Sequence, residues 1–233
     1  MKYYLDITLL PDDGCNLGFL WHKVYQQIHI GLADNGFLSD EIVKTRSGKQ
    51  ERLKKSNIAL SFPEYKTKGY PLGSVLRLFA ETKMQLEALN VKTLLNRLTD
   101  YTHCKSIQTV DEAKVIKHVC FKRKQFKSYD RIVKDIERRA EYLVEHKPEK
   151  YGDNIEEVTA ILREKSESYN DRESLPFINL MSLSSKPTAI LPDKDRFLLF
   201  IEMENKETEI NGVFTCYGLS RREESEQASV PWF

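Results

Sequence analysis

In Tyr4-Leu5-Asp6-Ile7-Thr8-Leu9-Leu10-Pro11, the apolar Leu5, Ile7 and Leu9 alternate with Tyr4, Asp6 and Thr8. That period of two is the mark of a half-buried strand, and Pro11 closes it. Leu20, Val24, Ile28 and Leu32 then recur at helical spacing until Asn35-Gly36 stops them. Ile58-Ala59-Leu60-Ser61-Phe62 and Val75-Leu76-Arg77-Leu78-Phe79 read as two paired strands. Thr82 stands three residues before Gln85, a capping-box signature for a helix carrying Leu86, Leu89 and Leu94. Residues 106–110 supply a closing strand.

Strand, helix, two strands, helix, strand is the ferredoxin-like order, an arrangement that decides nothing about function by itself. Residues 37–56 interrupt it. They are polar, net basic and too long for an ordinary connection, so a flexible loop is expected there. Beyond Asp111 a strand runs through Val115, Val119 and Phe121, followed by a basic helix over residues 128–145 with Ile132, Ile136, Ala140 and Leu143 on its buried stripe. A further helix at residues 154–167 precedes strands at 177–184 and 197–203. The expected class is α+β: an N-terminal ferredoxin-like domain, residues 1–111, and a second α+β domain, residues 112–233, carrying the basic helix.

The net charge of +1 conceals a strong local asymmetry. Residues 117–139 hold nine Lys or Arg against Asp130, Asp135 and Glu137, so this stretch carries +6 and the rest of the chain −5. Such concentration is the footprint of a polyanion site, although a solvated basic face has the same composition. Arg131, Lys134 and Arg138 share one helical face, so several cations can point at one ligand. With 40% hydrophobic residues the chain can bury a core, and no apolar run approaches the ~18 residues of a membrane span. Asp6 interrupts the N-terminus before a signal-peptide core can form. Cys15, Cys104, Cys120 and Cys216 are scattered without a CxxC, which suits reduced thiols in the cytoplasm.

Walker, GxGxxG, HExxH and GxSxG motifs are missing. His103, Cys104, His118 and Cys120 are a poor zinc set, because neighbouring strand residues point to opposite faces. His29 stands one position off the apolar stripe of the first helix, with His22 seven residues earlier on much the same face. Ser182 and Ser184 leave one face of a strand, and Phe197 and Tyr217 read by pattern as core aromatics.

The order of these residues gives them meaning. The closing Phe214-Thr215-Cys216-Tyr217-Gly218-Leu219-Ser220, followed by Val230-Pro231-Trp232-Phe233, resembles the C-terminus of the CRISPR repeat-processing endoribonucleases of type I-F systems. Tyr4-Leu5-Asp6-Ile7, Ser61-Phe62-Pro63, Arg123-x-Gln125-x-Lys127-Ser128, Leu175-Pro176-Phe177 and Phe197-x-x-Phe200-Ile201 are similar too, so the likeness spans the chain. Residues 37–56, 186–195 and 221–229 look longer than the family's connections, and Asp135 and Glu137 dilute the basic helix.

The resemblance implies a metal- and cofactor-independent endoribonuclease. His29 would act on the 2′-hydroxyl upstream of the scissile phosphate. Ser182, with Ser184 beside it, would hold that hydroxyl or its ribose, and Tyr217 would support the site. The oxygen attacks the adjacent phosphate, giving a cyclic 2′,3′-phosphate and a 5′-hydroxyl, so DNA is not cut. The implied substrate is a CRISPR repeat stem-loop, cut at the 3′ base of its stem. Arg123 would read a guanine edge and Gln125 an adenine, while Lys127, Arg131, Lys134, Arg138 and Arg139 lie along the basic segment that follows the phosphates. Phe197 would stack on the terminal pair. The product would stay bound, as crRNA, among the other subunits of the type I-F surveillance complex. On the residues alone, a non-catalytic hairpin-binding subunit and an unrelated interaction protein remain open.

Overall fold

The strand Tyr3–Leu9 (β1) lies inside a sheet, antiparallel to its neighbours on both sides. The computed structural model describes residues 1–44, 50–67, 69–126, 129–167, 175–182 and 196–233. After β1 come the helix Leu17–Asp34 (α1), the strands Phe37–Lys44 (β2), Gln50–Ser56 (β3), Ala59–Ser61 (β4) and Val75–Ala80 (β5), and the helices Lys83–Leu89 (α2) and Val91–Leu94 (α3). Short strands Thr102–Cys104 (β6) and Gln108–Thr109 (β7) precede Lys117–Lys124 (β8). Then follow the helices Tyr129–His146 (α4), Pro148–Tyr151 (α5) and Ile155–Glu167 (α6), and the strands Phe177–Met181 (β9), Arg196–Lys206 (β10), Phe214–Thr215 (β11) and Val230–Trp232 (β12). The class is α+β.

Contacts gather the chain into two compact units, Met1–Lys124 with Pro176–Phe233, and Gln125–Leu175. The larger unit holds one sheet in the order β4-β5-β1-β6, with β7 also on β1, and a second in the order β12-β8-β10-β9. One apolar core serves both: Phe62 from the first half meets Phe121 of β8 edge-on at 5.1 Å. α1 buries Leu20, Trp21, Val24, Ile28 and Leu32 in that core, the face its spacing predicted. Asn16 caps its start by accepting from the Phe19 amide at 2.9 Å. The capping box forms as read from Thr82 and Gln85, but α2 stops at Leu89 because Asn90 turns left-handed at φ 47°.

β1 is less open on its polar side than alternation implies. Asp6 is 5% exposed and receives two bonds from Arg77 across the ladder, at 2.7 and 3.1 Å. The Arg77 guanidinium lies 4.6 Å from the Tyr4 ring and 4.3 Å from that of Phe233, so the chain's last residue covers this face.

Several expectations need correction. The strand expected through Val115 begins only at Lys117, and Ser182 lies past the end of β9 at Met181 instead of within a strand. Residues 37–44 and 50–56 form a β-hairpin, with Phe37 paired to Lys55 and Lys44 to Gln50, and β11 extends it through Phe214 and Ser56. Backbone ladders and charge pairs sustain it instead of a buried face: Leu38 and Ile42 stay 57% and 61% exposed, while Arg221 clamps Glu41. The strand closing the first sheet begins earlier than residue 106. Thr102–Cys104 pairs with Ile7–Leu9, and Gln108–Thr109 returns to β1 beside Tyr3 and Tyr4.

In the smaller unit α4 packs on α6 around Ala140, Leu143 and Val158. Ile132 and Ile136 on the expected stripe are half-buried.

Candidate active site

α1 turns one face toward two other segments and fixes both. Tyr25 and His29, one turn apart, reach the C-terminal motif; His22 and Gln26 reach β9. The buried Tyr25 hydroxyl donates to the Tyr217 carbonyl at 2.7 Å. His22 Nδ1 bonds the Asn179 carbonyl at 2.5 Å, and Gln26 accepts from the Met181 amide at 3.0 Å. Ser182 therefore emerges one residue beyond an anchored strand end.

The segment bearing Tyr217 is a tight turn. The Gly218 amide donates to the Thr215 carbonyl at 2.8 Å, and the Thr215 amide to Leu219 at 2.9 Å. Gly218 adopts φ +68°, and a Cβ there would meet Leu60 Cγ at 2.3 Å. Only glycine suits both the left-handed backbone and the close approach, which explains this residue of the closing motif.

His29 sits between the carbonyl of Cys216 and the ring of Tyr217. Its Nδ1 lies 2.8 Å from the Cys216 oxygen, and its ring stacks on Tyr217 at 4.2 Å with 4° between planes. A carbonyl only accepts, so Nδ1 carries the hydrogen and the neutral ring keeps its lone pair on Nε2. Burial lowers the imidazole's pKa below its ordinary value; the Arg123 charge adds to this, while the Cys216 bond opposes it. The arrangement presents a neutral base in a fixed orientation. Arg123, from β8, places its guanidinium 5.1 Å from the Phe197 ring and 5.4 Å from that of Tyr217. Phe197 meets Tyr217 edge-on at 6.4 Å.

His29, Ser182, Phe197 and Tyr217 line one cleft of about 250 Å³. Residues distant in sequence thus converge, with Arg123 against the two aromatics. Gln125 follows the end of β8 and is exposed. Lys134, Arg138 and Arg139 are exposed on α4, where Arg138 pairs with Asp135 at 2.6 Å. Lys127, Ser184 and the side chain of Arg131 lie outside the described residues. His103 and Cys104 belong to the first sheet, His118 and Cys120 to the second, and no three metal-ligating side chains cluster among the described residues. Sequence reasoning missed Tyr25, Gln26 and the anchoring role of His22; the signal was their i, i+3, i+4 and i+7 spacing along one helix with His29.

Comparison with known proteins gives the family. The CRISPR-associated protein family Cas_Csy4 matches residues 4–233. The CRISPR-associated endonuclease Cas6/Csy4 of Escherichia coli (strain UTI89 / UPEC) is 28% identical over 234 residues, covering 100% of each chain. The histidine, the tyrosine turn and the closing Val-Pro-Trp-Phe thus lie within one continuous match, and the chain belongs to the Cas_Csy4 family of CRISPR-associated proteins.

Proposed function

We propose that this protein is a metal-independent endoribonuclease that binds CRISPR repeat stem-loops and cuts precursor crRNA at the 3′ base of the stem. The observation that carries the reading is the His29–Cys216 bond, which leaves Nε2 as the basic nitrogen in a cleft shared with Ser182, Phe197 and Tyr217. Full-length similarity to a relative named as an endonuclease supports it.

In the proposed reaction Nε2 of His29 takes the proton of the 2′-hydroxyl, and Ser182 holds the ribose. The O2′–P bond forms as the P–O5′ bond breaks, giving a cyclic 2′,3′-phosphate; the leaving 5′-oxygen takes a proton from water to become the hydroxyl, and the His29 imidazolium returns its proton to solvent. The ring of Tyr217 keeps the imidazole plane fixed. Phe197 stacks on the terminal pair, and Arg123 with Gln125 reads base edges. Ser184 and Lys127 complete the proposed RNA contacts, while Arg131, Lys134, Arg138 and Arg139 follow the phosphates. The first sheet's order, with β1 central and α1 and α2 between its strands, supports a ferredoxin-like N-terminal domain over residues 1–111, followed by an RNA-binding domain over 112–233. The protein acts in the cytoplasm and keeps its product within the type I-F surveillance complex.

The test is incubation of purified protein with its repeat hairpin in EDTA. Cleavage to a cyclic phosphate is expected. Tight binding without cleavage would favour the non-catalytic subunit instead.

A further inference from the structure

Tyr217 forms a wall of two clefts. One holds His29; the other, of about 430 Å³, lies against β3, the tyrosine turn and the link after it. Lys54, Arg123, Arg221 and Arg222 line this second cleft, with Glu223 as an opposing charge. Its cations are not equivalent. Arg221 is neutralised: it donates hydrogen bonds to Glu41 at 2.5 and 2.9 Å and forms an ion pair with Glu226 at 2.8 Å, so it is a strut tying the β2–β3 hairpin to the link. Lys54 is exposed and donates at 3.0 Å to the Ala33 carbonyl, a partner that leaves its charge uncompensated. Arg222 is exposed. Arg123 Nε has no hydrogen-bond partner among the described residues.

We propose that this cleft is a subsite for single-stranded RNA, taking the nucleotides immediately 3′ of the scissile phosphate. The inference rests on the proposed endoribonuclease reading. With the attacking ribose at Ser182 and His29, in-line displacement expels the 5′-oxygen on the side opposite the attacking oxygen. The strand beyond that oxygen must leave the catalytic cleft, and Tyr217 is the wall across which the second cleft lies. Phosphates need spaced cations and no base-specific donors, which is what Lys54 and Arg222 offer, with Arg123 at the boundary between this cleft and the stem it reads. The hairpin and the link are thereby given a common use.

The test measures affinity for two repeat hairpins made uncleavable by a 2′-deoxy sugar at the cut. One ends there and the other continues for three nucleotides. The longer RNA should bind the full-length protein about tenfold more tightly, from about two added phosphate contacts. For Lys54→Ala/Arg222→Ala the ratio should fall below about twofold. In a second measurement, 4-thiouridine at the first nucleotide beyond the cut should crosslink to the peptide around Leu53 and Lys54 or to Arg221 and Arg222. An unchanged ratio in the double variant, or crosslinks confined to other segments, would overturn the subsite. Failure of the shorter hairpin to bind would instead remove the endoribonuclease reading, and the subsite with it.

Discussion

The Nδ1 of His29 stands 2.8 Å from the carbonyl oxygen of Cys216, so one backbone group decides which imidazole nitrogen is basic. His29→Ala should abolish cleavage while leaving affinity for the repeat hairpin within a few-fold, because the base is lost and the phosphate contacts are not. Cleavage and binding assays on the same preparation check this. Residual cutting near the wild-type rate would place the base elsewhere.

Burial and the Arg123 charge both hold His29 neutral. The acid limb of kcat/KM, which reports the free enzyme, should have its midpoint below the ordinary histidine value of about 6.5. Arg123→Gln removes a positive charge that disfavours the imidazolium, so it should move that midpoint upward; a downward move would contradict the account. His22 is likewise held below its ordinary value, chiefly by burial. Both groups therefore resist protons in the folded state that the unfolded chain accepts. Folding stability should be full above about pH 6.5 and decline as pH falls below it.

Tyr25 never faces the cleft, yet its hydroxyl holds the carbonyl of the residue whose ring stacks on His29. Tyr25→Phe leaves that carbonyl without its donor. The expected cost is about 1–3 kcal/mol of stability, read by denaturant unfolding. Cleavage should slow about tenfold with little change in KM, since the ring and not the RNA grip is displaced. A rise in KM at unchanged kcat would show a binding role instead.

Some of this was legible in the sequence and some was not. β1, α1, β4 and β5 bury one-sided or continuous apolar runs, so periodicity finds them. Among the described side chains of the β2–β3 hairpin only Ser56 is buried: Leu38 and Ile42 are exposed and its stability comes from ladder bonds and the Glu41–Arg221 pair, neither of which has a period. His29, Ser182, Phe197 and Tyr217 looked ordinary one by one, and only their order along the chain pointed to a common site. Tyr25 was hidden because a buried tyrosine at helical spacing reads as core. The resemblance implied a base-reading role for Arg123, but its seat against Phe197 and Tyr217 required the sheet pairing of β8 with β10.

The turn that carries Tyr217 depends on a residue without a side chain. Gly218→Ala forces a left-handed alanine and drives its Cβ toward Leu60. A loss of about 2 kcal/mol is expected, which lowers Tm by about 4–8 °C in a chain of this size. Cleavage should fall alongside, because the turn also supplies the Cys216 carbonyl. Thermal unfolding unchanged within about 1 °C would show that the turn tolerates a side chain, contrary to its geometry.

The central claim is that the RNA supplies its own nucleophile and His29 the base. The most direct test is cleavage of the repeat hairpin carrying hydrogen in place of the 2′-hydroxyl at the cut, with wild-type protein and in EDTA. The account predicts binding as tight as to the unmodified hairpin and no product. Cutting of the deoxy-substituted RNA at the same position would contradict it.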